Sequence, residues 1–534
     1  MKNCLLQHRM AKQTVLILLF CTSVANSAKL LTVALMGGSH YFMMDEISKI
    51  LARGGHNVFN FHQIVRPSSG PQITHDEYTY IPWTIGENYT QEYSKVVQKF
   101  VQDSIRGKYS FSGFLTILDS HAYECDKLLS DSEVLARLSN ENYDLLVIDA
   151  FHYCTMLLAA KLKVPYVAVY GTSFYNGHHI HLSSPPSHVP AFTSHLSDSM
   201  TFFERLQNVG VLLRGYFEGQ LCFDRFSYVI KRHFSAEDNV NLEDLHLKAE
   251  LWIYNTGFSF EFPRPLLPNV VYVGSFLSKP AMPLPQEMEE FITGDQGFIV
   301  VALGTMVQSI SDRHLIEKMT RAFSRLPQKI FWRYNNNSWP SDITLPENVK
   351  IYGWLPQNDL LGHPQARAFI SHGGINSLHQ AVYHGVPVLG LPFFYDQTDN
   401  VIRLVSKGIA LSISVSELEE ETLVRKLTQL VTIPRFRQSA LRASKQLRFQ
   451  PFTAAELTSR WIESILNVGN GDHLKPRSYR MPAYQLYLLD VCAFALAITM
   501  LTIFFTYKIL KSLLLRVTAR FLQIKPGERK RKIT

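Results

Sequence analysis

Between residues 354 and 397, glycine, polar and aromatic side chains recur where short apolar runs end: Trp354-Leu355-Pro356-Gln357, His372-Gly373-Gly374-Ile375-Asn376-Ser377, Gln380, and Phe394-Tyr395-Asp396-Gln397. Each type suits one piece of chemistry. Gly373-Gly374 lets a chain leaving the run Phe369–Ser371 turn tightly into a helix. The first N–H groups of such a helix are unpaired and partly positive, which suits a diphosphate. His372 and Ser377 can add donors to the same phosphates. Trp354 offers a flat face on which a base can stack. Asp396-Gln397 can hold vicinal hydroxyls. A glycine turn or a core tryptophan would explain each residue singly. The whole set, in this order, describes a site for a nucleotide joined to a sugar.

Other chemistries lack their signatures. There is no GxxxxGK[ST], no GxGxxG after a strand, no GxSxG and no HExxH, and Asp-x-Asp is absent, so no metal ligand pair is evident. His178, His179 and His181 cluster in a Ser/Pro/Gly-rich stretch without a nearby acid or cysteine, and read as loop or pocket-lining histidines. No metal site is expected.

The elements that must position these residues alternate between strand and helix. Leu30–Met36 reads as a strand ending at Gly37-Gly38-Ser39-His40, followed by a helix with Met44, Ile47, Ile50 and Leu51 on one face. Strands are predicted at Val58–Phe61, Asp144–Ile148, Pro165–Tyr170 and Val270–Val273. A second unit has strands at Phe298–Leu303, Lys329–Tyr334, Val349–Tyr352, Ala368–Ser371 and Val386–Leu391. Its helices follow Ser311 as N-cap and at about 374–384, 400–407, 417–431 and 435–447. Apolar strands alternating with helices predict parallel sheets covered on both faces. The expected class is therefore α/β, with two doubly wound Rossmann-like domains facing a cleft. In such sheets ligands bind beyond the carboxyl ends of the strands. The predicted organisation is a signal peptide at 1–27, an acceptor-binding domain at 28–275 and a Pro-rich linker at 276–296. A nucleotide-binding domain at 297–450, helices at 451–485, a transmembrane helix at 486–507 and a basic tail at 508–534 complete it.

Charge and cysteines bear on location. The chain has 534 residues, 46% hydrophobic and 18% charged, with 53 Lys+Arg against 45 Asp+Glu, a net +8. That composition excludes a disordered chain. Residues 508–534 hold nine Lys/Arg and one acid, and residues 1–27 hold three bases and no acid. The stretch 28–507 is then −3, so no polyanion-binding surface and no nucleic-acid partner are expected. Met1–Lys12 with the apolar core Val15–Phe20 and small residues at Ala25 and Ser27 fit a cleaved signal peptide. Leu486–Tyr507 is apolar and long enough to span a bilayer, and Lys508 and Lys511 flank it. The expected topology is single-pass type I with the body lumenal. Lys530 and Lys532 fit a dilysine-type retrieval signal of the endoplasmic reticulum. Cys125, Cys154 and Cys222 would face the lumen and suggest no disulfide framework. Asn88 and Asn336 open glycosylation sequons.

The segment 354–397, together with Gly37-Gly38-Ser39-His40-Tyr41, Phe262-Pro263-Arg264-Pro265-Leu266-Leu267-Pro268-Asn269, Asn358-Asp359-Leu360-Leu361 and the C-terminal anchor, resembles the UDP-glycosyltransferase family of the vertebrate endoplasmic reticulum. The likeness leans to its UDP-glycosyltransferase 3 branch, with the glucuronosyltransferases as relatives. The resemblance implies a GT-B fold and an inverting, metal-independent transfer from a UDP-sugar to a hydroxyl of a small lipophilic acceptor, giving a β-glycoside. The UDP-sugar is a co-substrate and no cofactor is implied. His40 matches the family's catalytic base and Asp149 the acid that orients it. Trp354 and Gln357 match uridine contacts, and His372, Gly374, Asn376 and Ser377 diphosphate contacts. Thr305 and Arg333 match further donor-site positions, and Asp396 and Gln397, beside Phe394, match the sugar site.

Two residues depart from the family pattern. Gln380 stands where a glutamate usually holds the ribose, which predicts UDP affinity several-fold weaker, from a loss of about 1 kcal/mol. Tyr395 stands where a small residue usually precedes Asp-Gln. With Phe393 and Phe394 it predicts an aromatic sugar pocket that favours glucose, xylose or N-acetylglucosamine over glucuronate. Two alternatives stay open: a catalytically weak UDP-sugar-binding partner that regulates related transferases as a homo- or hetero-oligomer, and a sphingolipid glycosyltransferase. The apolar stripe Phe202, Phe203, Leu206, Val209, Leu212, Leu213, Tyr216 and Phe217 could line the acceptor pocket, lie on the membrane or pack in the core.

Overall fold

The computed structural model describes residues 27–64, 74–171, 177–292, 294–307, 309–310 and 312–523. The expected signal peptide up to residue 26, Ser311 and the retrieval lysines lie outside them. The chain divides into two compact units, one ending at Lys475 and one beginning at Pro476.

The first unit holds two parallel sheets. One is seven-stranded: β1 (Lys29–Ala34), β2 (Asn57–Gln63), β3 (Thr79–Trp83), β4 (Leu145–Asp149), β5 (Tyr166–Tyr170), β6 (Leu251–Tyr254) and β7 (Val270–Tyr272), in the order β3-β2-β1-β4-β5-β6-β7. The other is six-stranded: β8 (Phe298–Ala302), β9 (Lys329–Arg333), β10 (Val349–Tyr352), β11 (Ala366–Ser371), β12 (Val388–Gly390) and β13 (Ala410–Ser412), in the order β10-β9-β8-β11-β12-β13. Strands such as β4 (LLVID), β5 (YVAVY) and β8 (FIVVA) are buried along their whole length, because helices cover both faces. In each sheet the winding direction reverses once, between β1 and β4 and between β8 and β11. The loops that follow those paired strands open side by side, which is where such sheets bind ligands.

Several elements differ from the sequence expectation. β3 carries Pro82, yet it lies at the sheet edge, where a missing N–H is tolerated. β6 and β13 have only four and three residues, too few to show a period. The helix Arg313–Ser324 is capped by Asp312, whose carboxylate accepts from the Leu315 N–H. The linker is shorter than 276–296. Phe276 joins the core of the first sheet, while Leu284, Met288 and Phe291 join the core of the second. The segment after residue 450 also contributes to the first sheet's core. Its helix Ala454–Val468 crosses back and buries Ile462 and Ile465 in the first sheet's core. Cys125 and Cys154 form a disulfide, and Cys222 is a buried thiol.

Buried polar contacts join the halves. Arg403, on the helix Gln397–Ser406 of the second half, donates through Nε to Glu261 of the first at 2.8 Å. Asp399, on the same helix, accepts from the backbone N–H groups of Thr193 (2.6 Å) and His195 (3.0 Å). Gly38 has φ 64°, and a Cβ there would sit 2.7 Å from Thr305 Oγ1 across the cleft, so only glycine permits this approach.

In the second unit, Leu488 has φ 54° and separates the short helix Ala483–Leu486 from the helix Leu489–Gln523. The apolar helix thus begins later than expected and does not stop at Tyr507. No Gly or Pro between 508 and 523 would break it. Leu489–Arg520 is long and apolar enough to cross a membrane.

Arg403→Leu leaves Glu261 buried without its cation. It is expected to destabilise the first unit by about 3–5 kcal/mol, read as a lowered midpoint in denaturant unfolding.

Candidate active site

Parallel pairing of β1 with β4 brings the catalytic candidates together. The register places Val33 opposite Ile148, so the turn after β1 and the end of β4 meet. His40, in the first turn of the helix Ser39–Arg53, shares a hydrogen bond between Nδ1 and Asp149 Oδ2 at 2.8 Å. Asp149 is fully buried, and its other oxygen accepts from the Phe151 N–H at 3.1 Å. Burial is the largest influence on His40 and opposes its charged form. The charge of Asp149, its hydrogen bond and the charge of Asp396 outweigh burial, and the imidazole pKa is raised above 6.5. Asp396 lies in the second half, so the dyad feels a carboxylate from across the cleft. The ring of Phe151 packs 5.0 Å from the His40 ring.

The opposite face is built at the ends of β8, β9, β10 and β11. Trp354 follows β10, and the Arg333 guanidinium lies 4.8 Å from its ring. Phe42, from the first half, approaches the same indole at 5.7 Å. Burial pushes Arg333 down to about 10. Burial, then the charge of Arg333, hold His372 down at about 3, so His372 is a neutral donor and acceptor. Gly304 and Gly374 lie against the His372 ring, and a Cβ at either would overlap it. Arg333 Nε and His372 Nδ1 are buried and meet no hydrogen-bond partner among the described residues. Buried orphan groups of this kind call for a ligand, and an anion satisfies both. The helix Ile375–His384 starts beside them at Gly374, as expected from the sequence.

Side-chain hydrogen bonds tie the remaining donor-site candidates together. Gln357 Nε2 donates to Ser377 Oγ (3.2 Å) and Gln380 Oε1 (2.7 Å), while Gln380 Nε2 donates to the Leu277 carbonyl (2.9 Å). A glutamate at 380 could not make that last bond, so the departure at Gln380 anchors the linker. Asn376 Oδ1 accepts from Asn255 Nδ2 at 2.7 Å, and Asn255 Oδ1 accepts from the Phe276 N–H. Asn255 is buried just after β6 and carries no motif, so only the fold reveals its position against the helix Ile375–His384.

The 393–397 segment differs from an aromatic sugar pocket. Gln397 Oε1 accepts from the Phe393 and Phe394 N–H groups, at 2.8 and 3.2 Å, and so braces the loop. Phe394 is buried edge-on against Phe100 of the helix Glu87–Ile105, 5.3 Å away. Tyr395 points into the first half. Asp396 alone of this group is a half-buried carboxyl on the cleft side. Burial pushes it up to about 6, against a 2.6 Å hydrogen bond from Asn400 Nδ2. Gly373, with φ 94°, keeps this loop close, since a Cβ there would lie 2.6 Å from the Gln397 carbonyl.

The other candidates are placed as follows. Asn336 sits in an exposed turn, Asn336–Ser338, and Asn88 is exposed in the first turn of the helix Glu87–Ile105. The half-buried rings of His178 and His179 pack against Tyr216 and Phe223, respectively. The stripe from 202 to 217 does not pack in the core. Phe202, Phe203, Leu206 and Phe217 are at least 60% exposed on the helix Phe202–Asp224.

Two parallel-sheet domains facing a cleft, with a His–Asp pair on one wall and the start of the helix Ile375–His384 on the other, define a GT-B glycosyltransferase. Solved structures of that fold are similar: the glycosyltransferase SnogD from Streptomyces nogalater (TM-score 0.57, 19% identity, covering 83% of this chain and 100% of that one) and the calicheamicin glycosyltransferase CalG4 (TM-score 0.52, 17% identity, 83% and 99%). The family model described as "UDP-glucoronosyl and UDP-glucosyl transferase" matches residues 28–524. UDP-glucuronosyltransferase 3A1 of Bos taurus is 41% identical, over 91% of this chain and 93% of its own length. The Homo sapiens 3A1 enzyme is 38% identical over 96% and 97%, and Homo sapiens UDP-glucuronosyltransferase 2B15 is 32% identical over 88% and 90%. The chain belongs to this UDP-glycosyltransferase family, and it is a sugar-transferring enzyme.

Asn255→Ala releases the Asn376 side chain from the opposite half. It is expected to weaken UDP binding about 3–10-fold, the value of one buried hydrogen bond, checked by isothermal titration calorimetry.

Proposed function

We propose that this enzyme inverts the anomeric centre without a metal, passing a neutral sugar from its UDP-sugar to a hydroxyl of a small lipophilic acceptor and leaving a β-glycoside. The observation that carries the reading is the His40–Asp149 pair within electrostatic reach of Asp396. With Nδ1 bonded to Asp149, His40 has Nε2 to take the acceptor's proton as that oxygen forms its bond to the anomeric carbon. The bond from that carbon to the UDP oxygen breaks on the opposite side. Asp149 fixes the tautomer and stabilises the imidazolium that forms. Arg333, His372 and the N–H groups opening the helix Ile375–His384 meet the charge that develops on the diphosphate. These fixed donors can act there without a cation.

The donor preference rests on charge. Arg403, the nearest arginine along the chain from Asp396, is engaged by Glu261 and is not free to pair with a uronate carboxylate. The apolar helix at 489–520 and the N-terminal sequence support a membrane-anchored enzyme with a lumenal body, held in the endoplasmic reticulum by Lys530 and Lys532.

In detergent, full-length protein should transfer sugar to a phenol, and His40→Ala should lower kcat by about 10²–10⁴-fold. Unchanged turnover in His40→Ala would remove the proposed base. UDP binding without turnover on any donor would instead favour a regulatory partner. The acid limb of kcat/KM should lie above 6.5, because His40 must be neutral to accept the proton. Asp149→Asn should move that limb to lower pH, since burial then acts without the opposing carboxylate. With one acceptor, UDP-glucose, UDP-xylose or UDP-N-acetylglucosamine should give a higher kcat/KM than UDP-glucuronate, read by mass spectrometry of the glycoside.

A further inference from the structure

Tyr395 combines an unfavourable backbone with an unusual placement. Its φ is 60°, in the left-handed region, which costs a bulky side chain about 1–2 kcal/mol. Packing must outweigh that cost. Its ring crosses from the second half into the first and meets Phe114 edge-on at 4.5 Å, with ring planes at 85°. Tyr109, Phe151 and Phe192 follow at 6.3, 6.4 and 6.4 Å. Phe114 lies on the helix Phe111–Ser130, and Phe151 follows Asp149 by two residues. Phe192 lies beside Thr193 and His195, whose N–H groups Asp399 holds.

Two of these contacts connect Tyr395 with catalysis. Phe151 touches both Tyr395 and His40, so a single aromatic ring separates Tyr395 from the proposed base. Asp396, the next residue along the chain, acts electrostatically on His40. The Tyr395 ring therefore occupies space in the first half one ring removed from the imidazole that an acceptor hydroxyl must reach. A smaller residue at 395 would leave that space open, lined by Phe114, Phe151 and Phe192. Edge-to-face aromatic walls favour a flat ring over a bulky alicyclic one.

We propose that Tyr395 is a specificity-determining residue that closes the inner end of the acceptor pocket and restricts the enzyme to small, flat, single-ring hydroxyl compounds. This rests on the acceptor reaching His40 as described under the proposed function. Removing the ring should admit larger, polycyclic alcohols while depriving the single-ring acceptor of a wall. The two acceptor classes should then respond in opposite directions, which loss of packing alone would not produce.

The test uses full-length protein in detergent with one UDP-sugar and two acceptors, a simple phenol and a steroid alcohol. The UDP-sugar is one that supports phenol turnover by the unmodified enzyme, and failure of every UDP-sugar to support it would remove the underlying reading and this one together. Given turnover, Tyr395→Gly should raise kcat/KM for the steroid at least about 10-fold and raise KM for the phenol. Tyr395→Phe should retain the original ratio. Parallel changes for both acceptors, or an unchanged ratio in Tyr395→Gly, would overturn the proposal. Should Tyr395→Gly fail to bind UDP, Tyr395→Asn, which tolerates the same backbone, serves in its place. Steroid affinity followed by intrinsic tryptophan fluorescence gives a readout that needs no turnover; it should tighten in either variant, and unchanged affinity would count against the proposal.

Discussion

A carboxylate without solvent exposure has to be met by donors, and Asp149 imposes that condition on the first half of the enzyme. Its two oxygens are met by His40 Nδ1 and the Phe151 N–H. The first contact is available only because β1 and β4 are neighbours in a parallel sheet, so that their following loops rise together. The same contact selects the imidazole tautomer and turns Nε2 away from the carboxylate. One electrostatic requirement thereby sets the position, orientation and basicity of the group proposed to start the reaction.

The second half answers with a different economy of charge. Its cations and donors are buried, and some are not matched by protein. Arg333 Nε and His372 Nδ1 have no partner among the described residues, and burial lowers the pKa of both side chains. An arrangement of this kind is unfavourable for stability and favourable for binding an anion, the usual balance at a functional site. Stability comes from contacts outside the site. Arg403 with Glu261, and Asp399 with the Thr193 and His195 N–H groups, hold the halves together from one helix that begins just after Asp396. The approach of Gly38 to Thr305 brings the walls close enough for Asp396 to influence His40.

Much of this was legible in the amino-acid sequence, for a physical reason. Strands buried on both faces appear as continuous apolar runs, and the residues that follow them must be loops at the ligand edge. Asp149 and Arg333 end their strands, and His40, Thr305, Trp354, His372 and Asp396 lie within six residues beyond theirs, on the side their positions in the sequence suggested. What escaped depends on contacts between distant segments. The helix Ala454–Val468 is recognisably amphipathic, but no local pattern says that it returns to the first core. Asn255 is one asparagine among many until β6 places it against Asn376. Phe394 and Tyr395 looked like one aromatic patch, whereas a positive φ at Tyr395 sends its ring away from the sugar loop into the first half. Cys125 and Cys154 are 29 residues apart with no paired spacing, and only the folded chain joins them.

The proposed chemistry is a single displacement, in which a base held on one wall directs an acceptor onto a sugar held on the other. The most direct check is the anomeric configuration of the glycoside, read by proton NMR on product isolated at early times from an α-linked UDP-sugar. The account predicts the β-glycoside alone. An α-linked product would mean retention, which a lone histidine base acting in one step cannot give, and would contradict the roles assigned to His40 and Asp149.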